Sequence, residues 1–159
     1  LHILTHYFSP LKQALGKYEV SMYITIKIDL VSGIYAFEDW GCEIEIAQNT
    51  SLRELHTIIQ SAVGFENDHL YDFFISRREF GSSRETFDDR QYSLDTQLYG
   101  LFPLPKGKKL FYWFDFGDDW KFQISKTRSK PKSFVDGVEY PRLVKEIGEK
   151  PEQYAESDW

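Results

Sequence analysis

The segment Leu110-Phe111-Tyr112-Trp113-Phe114-Asp115-Phe116-Gly117-Asp118-Asp119-Trp120 places six aromatic rings and three carboxylates in eleven residues. That much ring surface has to be packed inside or lined up along a groove, because a large contiguous apolar patch left in water marks an interaction site or an aggregation hazard. Gly117-Asp118 between two apolar runs predicts a tight β-hairpin turn, with Gly117 taking the positive φ that such turns require. The flanking strands run over about 109–116 and 119–125, the second alternating Trp120, Phe122 and Ile124 with Lys121, Gln123 and Ser125. A chain organised round this hairpin has an aromatic-lined sheet with three acidic side chains delivered to one end.

Two further strands are legible upstream. Tyr18, Val20, Met22, Ile24, Ile26, Ile28 and Leu30 alternate with Glu19, Ser21, Tyr23, Thr25, Lys27 and Asp29, the period-two pattern of a long half-buried strand. After a turn near Ser32-Gly33, Cys42, Ile44 and Ile46 face one way and Glu43 and Glu45 the other, so the pair reads as an antiparallel hairpin with one solvated face. Ser51-Leu52-Arg53-Glu54 fits a capping box, and Leu52, Leu55, Ile59, Ala62 and Val63 recur at helical spacing up to Gly64, which sits where a left-handed C-terminal cap belongs. His69 to Ile75 reads as another strand, 78–95 as a short hairpin or loop, and 96–102 as a short helical turn or strand ended by Pro103 and Pro105.

Composition bounds the class. With 159 residues, 42% hydrophobic and 17% aromatic, the chain is long and apolar enough for one folded domain. Its formal charge of -6 disfavours non-specific attraction to nucleic acid or anionic membrane. The single cysteine, Cys42, excludes an intramolecular disulfide and a Cys-rich zinc site, and reads as a small buried hydrophobe. No apolar run approaches the ~20 residues of a membrane-spanning helix, and no secretory apolar region opens the chain. The sequon Asn49-Thr50-Ser51 is therefore read as accidental, the cytoplasm as the expected compartment and the membrane as no partner. The chain begins at Leu1, and its only methionine is Met22, which leaves room for an upstream segment or domain.

Two ordered motifs carry a resemblance. Leu52-Arg53-Glu54-Leu55-His56, Ile59-Gln60-Ser61-Ala62-Val63-Gly64-Phe65 and His69-Leu70 are followed far downstream by Phe114-Asp115-Phe116-Gly117-Asp118-Asp119-Trp120. Together they resemble the Ri-plasmid ORF-three-like family, whose members occur on plasmids and as passengers of insertion sequences. The resemblance covers about Tyr23 to Tyr140, and Asp136-Gly137 with Tyr140-Pro141-Arg142 is similar to the family's run into its C-terminal segment. Many members continue with a Cys-containing stretch rich in Pro-Pro-Glu-Asp and Gly-Gly; here Leu143 to Trp159 stands in its place and holds no Cys. What the resemblance implies is a single α+β domain without an assigned biochemical activity.

Three groups of side chains are candidates for function. Asp115, Asp118 and Asp119 suit a divalent cation or a cationic ligand, since hard cations favour clustered carboxylates; the plainer alternative is that they serve the turn itself. Asp115-Phe116-Gly117 also spells the kinase metal motif, which is a false match without a His-Arg-Asp loop or a Gly-rich loop. His56 on the helix and His69 at the start of the next strand, with Asp118 or Asp119, would form a metal set or a general base and its orienting carboxylate; alternatively each imidazole bonds backbone carbonyls and fixes the helix–strand connection. Residues 104–132 hold eight Lys or Arg against three Asp, and Lys121, Lys126, Arg128, Lys130 and Lys132 beside Trp113, Trp120 and Phe122 suit phosphates and stacked bases; the alternative is a solvated loop facing the acidic tail.

No Gly-rich phosphate loop, Gly-x-Ser-x-Gly, His-Glu-x-x-His or Cys-x-x-Cys is present. The sequence therefore predicts an α+β fold of one domain: an antiparallel or mixed sheet packed on one main helix, opening in a β-grasp-like hairpin-then-helix order. Residues 1–17 are expected to form an N-terminal extension, 18–140 the domain and 141–159 an acidic, helical tail with Pro151 at a helix start. The expected role is a non-catalytic binding or adaptor module of a mobile-element-associated family with a protein partner, no cofactor and no resident metal. Its ligand lies against His69, Trp113, Asp115, Asp118, Asp119 and Trp120. A nucleic-acid accessory protein using the 121–132 segment, and a metal-dependent enzyme using His56, His69 and Asp118 or Asp119, are the alternatives.

Overall fold

The alternating apolar run predicted to start at Tyr18 forms β1 (Met22–Ser32) in the computed structural model, which describes residues 22–81, 83–91 and 93–155. The N-terminal extension, the first residues of that run and the last four residues lie outside the described part. β1 pairs antiparallel with β2 (Gly41–Ala47), setting Ile26 opposite Ile44 and Ile28 opposite Cys42 on one face. The remaining strands are β3 (Tyr71–Ser76), β4 (Glu85–Phe87), β5 (Lys109–Phe114), β6 (Trp120–Lys126), β7 (Lys132–Ser133) and β8 (Arg142–Ile147). They make one eight-stranded sheet in the order β4-β3-β5-β6-β1-β2-β8, with β7 extending the β6 side of β1, and every pairing in it is antiparallel.

The helix α1 (Leu52–Val63) forms where its caps predict. The Ser51 hydroxyl accepts the Glu54 backbone N–H at 3.1 Å, and Gly64 closes the other end at φ +80° with its N–H donated to the Gln60 carbonyl. Leu52, Leu55, Ile58, Ile59 and Val63 are buried on the sheet beneath. That face of the sheet supplies Ile24, Ile26 and Ile28, Ile44 and Ile46, Phe73, Leu110, Tyr112 and Phe114, and Trp120, Phe122 and Ile124. Phe65 packs over the rings of Phe114, Trp120 and Phe122, the nearest at 4.9 Å. A four-residue helix, α2 (Leu98–Leu101), buries Leu98 and is tied to the start of α1 through Leu52 N–H to the Thr96 carbonyl at 3.0 Å.

The fold class is mainly β, which corrects the α+β expectation of a sheet packed on one main helix. The described residues carry an eight-stranded antiparallel sheet and only two short helices. The tail accounts for part of the difference: residues 142–147, predicted helical, form the edge strand β8 against β2. Six residues mixing Leu143, Val144 and Ile147 with Arg142, Lys145 and Glu146 are too short to separate the two periodicities, and the open edge of β2 decides by offering backbone hydrogen bonds. Arg142 anchors the strand on Glu45 at 2.7 Å, and the buried Trp40 donates its indole N–H to Glu146 at 3.0 Å.

The second face of the sheet also carries rings, as strand alternation requires. Phe74 and Phe111 are buried there with ring centres 5.2 Å apart, and the Arg84 guanidinium lies over Phe74 at 4.2 Å.

Candidate functional site at the tip of the β5–β6 hairpin

The turn between β5 and β6 is a five-residue loop, Asp115 to Asp119, and its backbone is not the one Gly117 predicts. The positive φ angles fall on Asp115 (+56°) and Asp119 (+61°), while Gly117 stays outside that region. Asp tolerates the left-handed conformation better than most residues because its short carboxylate bonds locally. Here Asp115 Oδ1 accepts the Asp118 backbone N–H at 3.2 Å, and the Asp115 carbonyl accepts that of Asp119 at 2.6 Å. Asp115 N–H in turn donates to the Leu70 carbonyl at 3.0 Å, which fastens the loop to the residues before β3.

Asp119 is held from the second face of the sheet. Its Oδ1 accepts the Trp113 indole N–H at 2.8 Å and lies 3.1 Å from the Lys121 ammonium. Lys121 is only 4% exposed, and its ammonium sits 4.5 Å from the centre of the Phe80 ring and 5.3 Å from that of Trp113. Asp115 belongs to the other side: 6% exposed, it lies 3.3 Å from His69 Nε2. That nitrogen is also 2.8 Å from the Tyr154 hydroxyl, which donates to Asp68. This bond pushes the Tyr154 hydroxyl up to about 12 and holds the Asp68 carboxyl below its ordinary range.

Asp118 adjoins Asp115 through its backbone N–H, and its carboxylate is in no ion pair among the described residues. Its carboxyl is pushed up, first by burial and next by the neighbouring Asp115 carboxylate, with His69 pulling the other way. Leu70, whose carbonyl meets Asp115, is 73% exposed, and Phe116, 4.4 Å from the Trp113 ring, is 40% exposed. The tip thus combines two crowded carboxylates, one imidazole and two apolar side chains on a backbone held by hydrogen bonds.

The structure divides the residues singled out in the sequence. His69, Asp115 and Asp118 come together, and Trp113 and Asp119 join across the same loop. Trp120 does not, because it points into the core, fully buried, with its indole N–H lacking a partner among the described residues. Lys121 is buried on the second face, and the Lys126 ammonium donates to the carbonyls of Thr127 and Ser129, closing its own loop. Arg128, Lys130 and Lys132 remain exposed beyond it. Sequence reasoning missed Asp68 and Tyr154 as partners of His69; Tyr154 lies 85 residues further along the chain, and no local pattern announces such a contact.

His56 belongs to a different network. Gln60 Nε2 donates to the Tyr112 hydroxyl at 2.8 Å, leaving the Tyr112 proton for His56 Nδ1 at 2.6 Å and the His56 Nε2 proton for Asn67 Oδ1 at 2.6 Å. Asn67 N–H donates to Gln60 Oε1 at 2.9 Å and closes the ring. The amide of Gln60 therefore fixes His56 as the neutral Nε2–H tautomer. Burial pulls its pKa down to about 4. The imidazole also stacks on Tyr71 with ring centres 3.6 Å apart. Among the described residues no group of three or more His, Cys, Asp or Glu is placed to hold a metal ion, so the set His56, His69 and Asp118 or Asp119 does not assemble.

Comparison with known proteins adds a family to this geometry. The model of the family described as plasmid pRiA4b ORF-3-like protein matches residues 34–155, well over half of the chain. The chain belongs to that family. The match takes in α1, the β5–β6 hairpin and β8, and runs beyond Tyr140, where the motif resemblance stops. Another relative is the uncharacterised protein y4hQ of Sinorhizobium fredii (strain NBRC 101917 / NGR234), 32% identical over 111 residues that make up 68% of this chain and 55% of that protein. The chain thus spans about half of that relative's length. A crystal structure of MM3350, a protein of unknown function from Methanosarcina mazei Go1, superposes with a TM-score of 0.64 at 21% identity, covering 82% of this chain and 72% of that one. At that identity the likeness speaks for the fold alone. None of the described helices of this plasmid ORF-3-like protein is long and apolar enough to cross a membrane.

Proposed function

We propose that this member of the plasmid ORF-3-like family is a non-catalytic recognition module, and that the tip of the β5–β6 hairpin is the surface that takes a protein partner. The observation that carries this reading is the Asp118 carboxyl, crowded by Asp115 and without an ion-pair partner among the described residues, on a tip that also exposes Phe116 and, tied to Asp115, Leu70. A Lys or Arg from a partner segment would relieve the repulsion between the two carboxylates, while an adjoining apolar side chain would cover Phe116 and Leu70. The net charge of -6 favours approach of a cationic segment. A recognition role rather than a reaction agrees with the commitment of both described histidines, His56 to its closed ring and His69 to Tyr154 and Asp115. Of the basic residues considered for nucleic acid, Lys121 is buried and Lys126 closes its own loop, which weighs against a continuous phosphate-binding track.

The test is affinity capture from nuclease-treated native lysate with the wild-type chain, Asp118→Asn and Phe116→Ser, after confirming by thermal unfolding that all three fold alike. A protein retained by the wild type at low salt, lost with both variants and weakened by added salt supports the reading. Capture that is indifferent to both substitutions, or no partner at all, overturns it.

A further inference from the structure

The far end of the same hairpin holds a pocket that none of the above uses. It has a volume of about 420 Å³, within the roughly 300–1,000 Å³ range of small-molecule sites. One wall is the connector Phe102, Pro103 and Leu104, and the other is the end of β6, with Ile124, and the Thr127 that follows it; Lys108 precedes and Lys109 opens β5. Three features of the lining point to a ligand class. The body of the pocket is apolar, from Phe102, Pro103, Leu104 and Ile124. Its charged residues are all lysines, Lys108, Lys109 and Lys126, and no Asp or Glu lines it. Among the described residues neither Lys108 nor Lys109 is ion-paired, whereas Arg142, Lys150 and Arg53 each meet a carboxylate.

The third feature is a hydroxyl. Thr127 Oγ1 is buried without a hydrogen-bond partner among the described residues. A buried polar group left unpaired costs about 1–3 kcal/mol, so natural sites seldom keep one without use. Thr127 lines the pocket together with Lys108 and Lys109, and its unpaired hydroxyl, turned towards the pocket by rotation about the side-chain bond, is a ready donor to an oxyanion.

We propose that this pocket is a binding site for a compact organic anion, in which an apolar body packs on Phe102, Leu104 and Ile124 and a carboxylate, sulfonate or phosphate group meets Lys108, Lys109 and Thr127. The site lies at the opposite end of the hairpin from the recognition tip, and it stands whether or not that tip takes a partner. The fixed backbone around it supports a preformed pocket: Lys108 N–H donates to the Pro105 carbonyl at 3.0 Å, and Thr127 N–H to the Thr25 carbonyl at 3.0 Å.

The probe is 8-anilinonaphthalene-1-sulfonate, an apolar body with one anionic group, titrated against the full chain by fluorescence. Amide chemical-shift mapping locates it, and its uncharged relative N-phenyl-1-naphthylamine is run in parallel. Saturable one-site binding is expected, with shifts at Leu104, Lys109 and Thr127 and much weaker binding of the uncharged compound. Lys108→Gln and Lys109→Gln should each weaken the sulfonate about tenfold, as loss of a charge-assisted hydrogen bond requires, and Thr127→Val less. Competition by phenyl phosphate against decanoate then separates a phosphate ester from a carboxylate as the preferred head group. Unsaturable binding, shifts confined to other surfaces, or affinity unchanged in both lysine variants overturns the proposal. Because both lysines are at least partly exposed, the substitutions leave the fold intact, and an unchanged unfolding midpoint verifies it.

Discussion

His56 shows how far a residue's role depends on its surroundings. Adjacent to Leu55 on an amphipathic helix, it has the look of a ligand or a base; in the fold it is a neutral link between α1, β5 and the loop at Asn67. The chemistry has a consequence for stability. The folded chain protonates His56 only near pH 4, whereas an unperturbed imidazole takes its proton near 6.5. Between those values the unfolded chain holds more protons, so this residue's contribution is fully present above pH 6.5 and is lost as the pH falls towards 4. The expected loss is about 3 kcal/mol. Urea unfolding of wild type and His56→Gln at pH 7.5 and pH 4.5 measures it. The variant should be less stable at pH 7.5, and the gap should narrow at pH 4.5; a constant gap would mean that His56 titrates as it does in water.

At the level of elements, two glycines carry unequal loads. Gly64 ends α1 in the left-handed conformation, as the sequence anticipates. Gly148, just past β8, also has a left-handed φ of +79°, and a methyl group added there would collide with the Asp39 carbonyl oxygen. Only tertiary contact reveals that second constraint, since Asp39 lies before β2 and β8 arrives more than a hundred residues later. Gly148→Ala should cost about 2–4 kcal/mol, combining backbone strain with backbone–backbone overlap. Gly137→Ala, at φ +80° with open space around it, should cost less, since it pays only the strain. Chemical denaturation of the two variants side by side would show the difference. Equal losses would remove the argument from close approach.

For the molecule as a whole, the question is how one sheet keeps both faces covered. α1 covers one face, and the Phe74–Phe111 stack under Arg84 occupies part of the other. The residues after Tyr140 finish the structure. β8 pairs with the outer edge of β2, Glu146 holds the Trp40 indole, Gln153 accepts the Glu66 N–H and donates to Asp68, and Tyr154 meets His69. Removing residues 142–159 should therefore do more than trim a tail. It uncovers the β2 edge and removes the hydrogen-bond partner of the buried Trp40, with an expected loss of about 3 kcal/mol or more and increased self-association through the exposed edge. Thermal unfolding with light scattering reports both effects. A truncated chain as stable and monomeric as the full one would show that β8 merely rests on the domain.

Wherever a local rule suffices, the sequence by itself determined the outcome. Period-two alternation placed β1, β2 and β6, the Ser51 cap and Gly64 bounded α1, and the crowding of rings beside Asp115 to Asp119 located the hairpin. The family membership was also legible, because the helix and turn motifs are local strings. What only the tertiary structure decided involves partners remote in the chain. It turned 142–147 into a strand because β2 had an open edge, and moved the left-handed residues of the hairpin from Gly117 to Asp115 and Asp119, the first tied to Leu70 and the second clamped by Trp113 and Lys121. It likewise buried Lys121, which alternation alone would leave on a solvated face, against Phe80 and Trp113. Local chemistry can say that a carboxylate or a ring will be used; which face it meets depends on pairing across the sheet, and pairing is settled by the sum of distant contacts.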